Sequence, residues 1–203
     1  MQPPRSLGIV GHGDFGRFLE MLARRFAPDL PVRVFARKAA PDGSRFFSLE
    51  ETCKADLVII AVSIRAFEET LLKMLPHLGP QTVLVDVNTV KVMPVALLRR
   101  HAADRVWITT HPMFGPYSFE KQGGSLTGLR VVVTDHTLPA AMHDGALVWL
   151  KSHGLNVLSM TADAHDRMLA ETLFLTHYLA QAVARGGFIR TDIDTLSLSL
   201  IHI

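Results

Sequence analysis

Imidazole is the side chain that exchanges a proton nearest neutral pH, and one histidine stands where its backbone would be fixed. His111 lies in Thr109-Thr110-His111-Pro112-Met113-Phe114-Gly115-Pro116, at the end of the strand predicted over residues 105–109 and before a turn that the prolines keep out of helix. That placement suits a general base. A second polar string, Asp86-Val87-Asn88-Thr89-Val90-Lys91, closes another apolar strand. Thr89 could hydrogen-bond a substrate hydroxyl or the imidazole, and Lys91 could hold a carboxylate or orient the loop. Asp86 is open between a site carboxylate and a simple cap for the turn after it.

What His111 would act on depends on the start of the chain. Residues 7–10 are apolar and run into Gly11-His12-Gly13-Asp14-Phe15-Gly16, after which Phe15, Phe18, Leu19, Leu22 and Phe26 recur at helical spacing. Strand, glycine turn and helix are the setting in which GxGxxG binds a dinucleotide, the pyrophosphate resting on the helix N-terminus. Gly11 would make the turn, Gly13 would admit the phosphate and Gly16 would let helix lie on strand. Asp14 could cap the helix through its side chain. Where an NAD site has an acidic residue for the ribose, after the second strand at 32–36, this chain has Arg37 and Lys38. Two cations suit a 2′-phosphate, so NADP is expected over NAD, the alternative being a solvated basic turn. Ser63 and Asn88 follow later strands at the end where a nucleotide crosses such a sheet and are the remaining expected cofactor contacts.

The elements that must position these residues alternate. Strands are expected near 56–62, 82–87, 105–109, 129–134 and 156–158, with helices at 49–54, 67–75, 94–101 and 140–151, which makes a doubly wound, mostly parallel Rossmann sheet over residues 1–160. Residues 120–127, with Gly123-Gly124, read as a polar loop suited to a substrate flap. From residue 161 the character changes to one helix over 163–185, apolar at Leu169, Leu173, Leu175, Leu179 and Val183. Residues 161–203 are thus expected to form a short all-helical substrate and dimerisation domain inside which the chain ends. His165 and His177 on that helix are about 120° apart on ideal geometry, so both cannot point squarely at one small ligand, and either could serve as a core or cap histidine.

Other classes of function are disfavoured. The net charge is +2 with no basic block, so nucleic acid is not expected. No run approaches a membrane span or signal peptide, and Cys53 is the lone cysteine, which agrees with a cytoplasmic setting. The ten histidines form neither HxH nor HExxH, so no metal is expected.

The glycine loop, the Asp86–Lys91 string, the His-Pro-Met-Phe-Gly-Pro string and the pairs His165-Asp166 and Thr176-His177 together resemble the prephenate/arogenate dehydrogenase family of tyrosine biosynthesis, most of all its plant-type arogenate dehydrogenases. The resemblance runs over about residues 5–185 and implies NADP-dependent oxidative decarboxylation of arogenate or prephenate by a homodimer. It implies that His111 receives the C4 hydroxyl proton, that Thr89 replaces a serine bonding the same hydroxyl, and that His177 and His165 line the substrate pocket. Tyr117 stands where relatives commonly have glutamate or threonine and would form part of the pocket wall. The family's substrate-binding arginine, far along its helical domain, finds no match here, so a dinucleotide-binding relative with little or no turnover is the alternative.

Overall fold

A computed structural model describes residues 4–186. The backbone divides into two compact units, Met1–Ala162 and Asp163–Ile203. The first holds a seven-stranded sheet ordered β2-β1-β3-β4-β5-β6-β7. Its strands are β1 (Leu7–Val10), β2 (Val32–Phe35), β3 (Leu57–Ile60), β4 (Val83–Asp86), β5 (Val106–Pro112), β6 (Arg130–His136) and β7 (Asn156–Ser159). The strands from β2 to β5 in that order are parallel, β6 runs antiparallel to β5, and β7 is parallel to β6. This is a Rossmann sheet. The chain leaves β1 to one side for β2 and returns to the other for β3, which opens a crevice beyond their carboxyl ends.

Residue alternation decides which helices cover which face. Val58, Ile60, Leu84 and Trp107 are buried on one face against α2 (Leu49–Cys53), α3 (Phe67–Met74) and α4 (Val92–His101). Val83, Val85, Ile108, Val131 and Val133 point the other way, toward α1 (Asp14–Phe26), α5 (Pro116–Lys121) and α6 (Ala140–Ser152). Each large apolar side chain fully buried here contributes on the order of 1.5–3 kcal/mol. Leu7, Ile9 and Val34 complete the layer under the rest of α1, at Leu19 and Ala23.

Four local expectations are corrected. Asp14 does not cap α1: Gly13 is the N-cap, with no side-chain cap, and Asp14 pairs with Arg17 at 2.5 Å. The string after His111 leads straight into helix, because Pro116 occupies the first turn of α5, where a missing N–H costs nothing. Glu120 and Lys121 therefore belong to α5, and the loop begins after them. In α4, Lys91 is the N-cap, so the helix starts two residues before Pro94.

The fourth correction concerns the C-terminal segment. The helix expected over 163–185 is α7 (Ala162–Leu169), a π turn at Ala170–Phe174, and α8 (Leu175–Arg185). A π turn holds more residues than an α turn, so the ideal-helix angle between His165 and His177 does not apply.

Candidate active site

Register places the expected site residues at one edge. Phe35, Val10, Ile60, Asp86 and Thr109 stand in one row across the five parallel strands. Gly11 leaves this row from β1, Arg37 and Lys38 from β2, Ser63 from β3, Asn88 and Thr89 from β4, and His111 from β5.

The glycine loop fits a bound pyrophosphate. Gly11 has φ +108°, and a Cβ there would lie 2.4 Å from the Ala61 carbonyl oxygen. A Cβ on Gly16 would lie 2.2 Å from the Gly11 carbonyl oxygen, so α1 can rest on the sheet only with glycine at that position. Around Gly13 a Cβ would meet nothing within 4 Å, which leaves the helix N-terminus open to an anion. Phe15 turns its ring toward Phe18, centroids 5.9 Å apart, and offers the loop its backbone only.

His12 is held from two sides. Its Nε2 meets Glu20 Oε2 at 2.9 Å, and its ring stands edge-on to Phe46 at 5.2 Å. A carboxylate only accepts, so Nε2 carries the hydrogen. Glu20 also accepts from Arg45 (2.8 and 2.9 Å) and from Arg24 (3.0 Å). Arg37, Lys38 and Ser63 are exposed. The Glu69 carboxyl of α3 is held below its usual range by Lys73, through hydrogen bond and charge, with a smaller pull from the charge of Arg37.

At the ends of β4 and β5 the polar groups form a closed network. Asp86 and Lys91 are buried and ion-paired. Asp86 Oδ1 accepts from the Asn88 N–H at 3.0 Å and from Asn88 Nδ2 at 2.8 Å. Lys91 also donates to the Thr110 carbonyl at 2.6 Å, and Thr110 Oγ1 donates to the Asp86 carbonyl at 2.9 Å. Lys91, expected to hold a carboxylate or to orient the loop, has its ammonium buried on Asp86 and the Thr110 carbonyl. Asn88, expected at the cofactor, has its amide nitrogen on Asp86. Thr89, between them in sequence, is exposed, and His111 is buried.

The turn after His111 is fixed by aromatic packing. Phe114 stands edge-on to Phe18 of α1 at 6.1 Å, and Phe18 to Phe119 of α5 at 5.5 Å. Tyr117, by contrast, is 74% exposed. In the second unit, His165 Nδ1 meets Asp166 Oδ1 at 2.8 Å, and His177 Nδ1 donates to the Leu173 carbonyl at 2.8 Å, which leaves Nε2 as its acceptor. Cys53 is buried and its thiol is pushed up to about 12 by burial, so it is chemically quiet. Among the described residues no group of three or more metal-ligating side chains assembles, and no helix is long and apolar enough to cross a membrane.

Residues 43–140 match the prephenate dehydrogenase nucleotide-binding domain. Over that stretch the chain is similar to the prephenate/arogenate dehydrogenases. Arogenate dehydrogenase 1, chloroplastic, of Arabidopsis thaliana is 31% identical over 208 residues, covering 95% of this chain and 32% of that protein. Arogenate dehydrogenase 2, chloroplastic, of the same plant is 28% identical over 201 residues, covering 94% of this chain and 56% of its own length. The chain thus spans about a third to somewhat over half of these relatives. Its fold is that of the prephenate dehydrogenase from Aquifex aeolicus, with a TM-score of 0.73 at 20% identity over 90% of this chain and 70% of that one.

Sequence reasoning missed Glu20, Arg45 and the contact of Phe114 with Phe18. Glu20 with Arg24 reads as an ordinary surface pair at i,i+4, and nothing in the sequence shows Arg45 arriving from another segment. Burial works to raise the Glu20 carboxyl. Hydrogen bonds from Arg45, His12 and Arg24, with the Arg45 charge, outweigh it and hold the group at about 2 against an ordinary 4.5. A lowered carboxyl contributes stability that is complete above its unfolded value and fades as pH falls toward the folded one. Glu20→Gln should therefore lower unfolding free energy by on the order of 2–3 kcal/mol near pH 7. Urea titrations should show that gap shrinking by more than half near pH 3, and a gap that ignores pH would refute the electrostatic assignment.

Proposed function

We propose that this chain catalyses NADP-dependent oxidative decarboxylation of arogenate or prephenate. The observation that carries the proposal is the convergence on one sheet edge of an open glycine loop, the Thr89 loop and the buried His111. Gly11 to Gly16 would hold the pyrophosphate on α1, and Arg37 with Lys38 would clamp the 2′-phosphate. When bound, the nicotinamide supplies the acceptor for hydride.

His111 then takes the proton of the C4 hydroxyl as the C4–H bond breaks, and Thr89 donates to or orients that oxygen. As the ring carboxylate leaves as CO2, the electron pair of its C–C bond completes the aromatic ring, so no further base is needed. Tyr117 supplies part of the wall of the substrate pocket. A sensitive assay follows reduced nicotinamide with each acid and each dinucleotide. Turnover of at least one acid with NADP is expected, and NADP binding without turnover of either would favour the non-catalytic alternative. His111→Asn should cut kcat by about 100- to 10,000-fold, the range for a general base, with NADP affinity nearly unchanged.

Arg37 and Lys38 carry the cofactor preference. Replacing both with alanine should weaken NADP far more than NAD, measured as the ratio of their dissociation constants. An unchanged ratio would place the 2′-phosphate elsewhere.

We further propose that the helical segment pairs with a second copy of the chain. Its described part exposes Met168 (58%), Leu175 (52%), Tyr178 (71%) and Leu179 (50%), a density of apolar surface that water does not favour on a helix. Light scattering on a sizing column should give a dimer, and a clean monomer at high micromolar concentration would rule this out.

A further inference from the structure

Two charges with no access to solvent, Asp86 and Lys91, lie next to the proposed catalytic residues. Taking an ammonium and a carboxylate out of water is costly, and an apolar pair of the same volume often serves stability as well or better. The Asp86–Lys91 pair is therefore a poor device for stability alone. Its connections suggest another use. The carboxylate grips the loop at Asn88 through two hydrogen bonds, one residue before Thr89. The ammonium, at the N-cap of α4, grips the Thr110 carbonyl, which belongs to the peptide bond leading into His111. Thr110 closes the circuit with its hydroxyl on the Asp86 carbonyl.

We propose that Asp86 and Lys91 act as a positioning pair that sets the Thr89 loop against the backbone of His111. Neither residue exchanges a proton with substrate. The pair fixes where the hydroxyl of Thr89 and the imidazole of His111 stand relative to each other, and so the point at which a substrate oxygen can meet both. Neutral side chains of similar size would fill the volume but would not hold the Thr110 peptide and the Asn88 loop in one geometry. The role in turnover rests on the proposed function; the positioning of His111 does not.

The test uses the full chain carrying Asp86→Asn with Lys91→Met, which removes both charges and leaves none buried alone. In histidine-labelled protein saturated with NADP, the ring signals of His111, assigned with His111→Asn, should move or split in the double variant, while those of the other histidines hold. In the same protein kcat should fall by about 100-fold, the cost of a misplacement near 1 Å, with the NADP dissociation constant within about 3-fold. Unchanged His111 signals in a folded double variant would overturn the proposal, as would a kcat within about 3-fold of the parent. Displaced His111 signals in a chain whose parent turns over neither acid would keep the positioning role and reject the reaction. Should the double variant not fold, Asp86→Asn alone, which keeps volume and one acceptor, takes the same readouts, with the same results expected and the same results overturning the proposal.

Discussion

The close approach of α1 to the sheet is the constraint on which the rest of the fold depends. With Gly16 over the Gly11 carbonyl, the helix lies nearer β1 than any side chain at that position would allow. From there Phe15, Phe18, Leu22 and Phe26 reach the layer above β4, β5 and β6. Phe18 meets Phe114 and Phe119 edge-on, each such pair adding about 0.5–1.5 kcal/mol beyond the area it buries. The helix that would receive a pyrophosphate and the turn that follows His111 are thereby parts of one packed body. A bulkier residue at Gly16 would lift both together.

Two buried carboxylates divide the electrostatic work. Glu20 lies at the rim, where guanidiniums reach it while staying partly in water, so three donors gather on it and lower its pKa. Asp86 lies inside, where burial pushes its carboxyl upward against the pull of Lys91 and Asn88. Arginine forks suit the first position because several can share one carboxylate. The compact ammonium suits the second, since it fits between two strand ends and can bond a carboxylate and a carbonyl together. The first network steadies the glycine loop through His12, and the second ties the ends of β4 and β5.

The succession of strands along the chain, the glycine turn and the strand ends that carry Thr89 and His111 were legible because each rests on short-range pattern. A short apolar run such as residues 7–10, bounded by a glycine turn, reads as strand, and Gly11, Gly13 and Gly16 sit at fixed offsets from it. What was not legible depends on partners distant in sequence. Lys91 looks like a free cation until β5 brings the Thr110 carbonyl to it, and Glu20 looks solvated until Arg45 arrives. Asp14 looks like a cap, yet it falls one place inside the helix, where Arg17 is the nearer partner. The start of α5 escaped because proline was read as a helix stop, although at the first turn it favours a start.

The reversal of β6 explains why so much of the site lies on one side. Had β6 run parallel to β5, the connection would have crossed to the opposite edge, as each earlier connection does. Running antiparallel, it turns at the carboxyl edge, so Met113 to Gly115, α5 and the glycine-rich loop after it must stand beside the dinucleotide crevice. The reversal needs one adjustment. Between Ile108↔His136 and Thr110↔Val133, β6 carries an extra residue opposite Thr109, whose hydroxyl meets Thr134 Oγ1 at 2.6 Å and the Asp135 carbonyl at 2.8 Å. Without that bulge the alternation would turn Val131 and Val133 away from α1 and put Val132 and Thr134 in their place. The bulge thus lets β6 keep its valines in the core beneath α1 while β5 carries His111 to the edge.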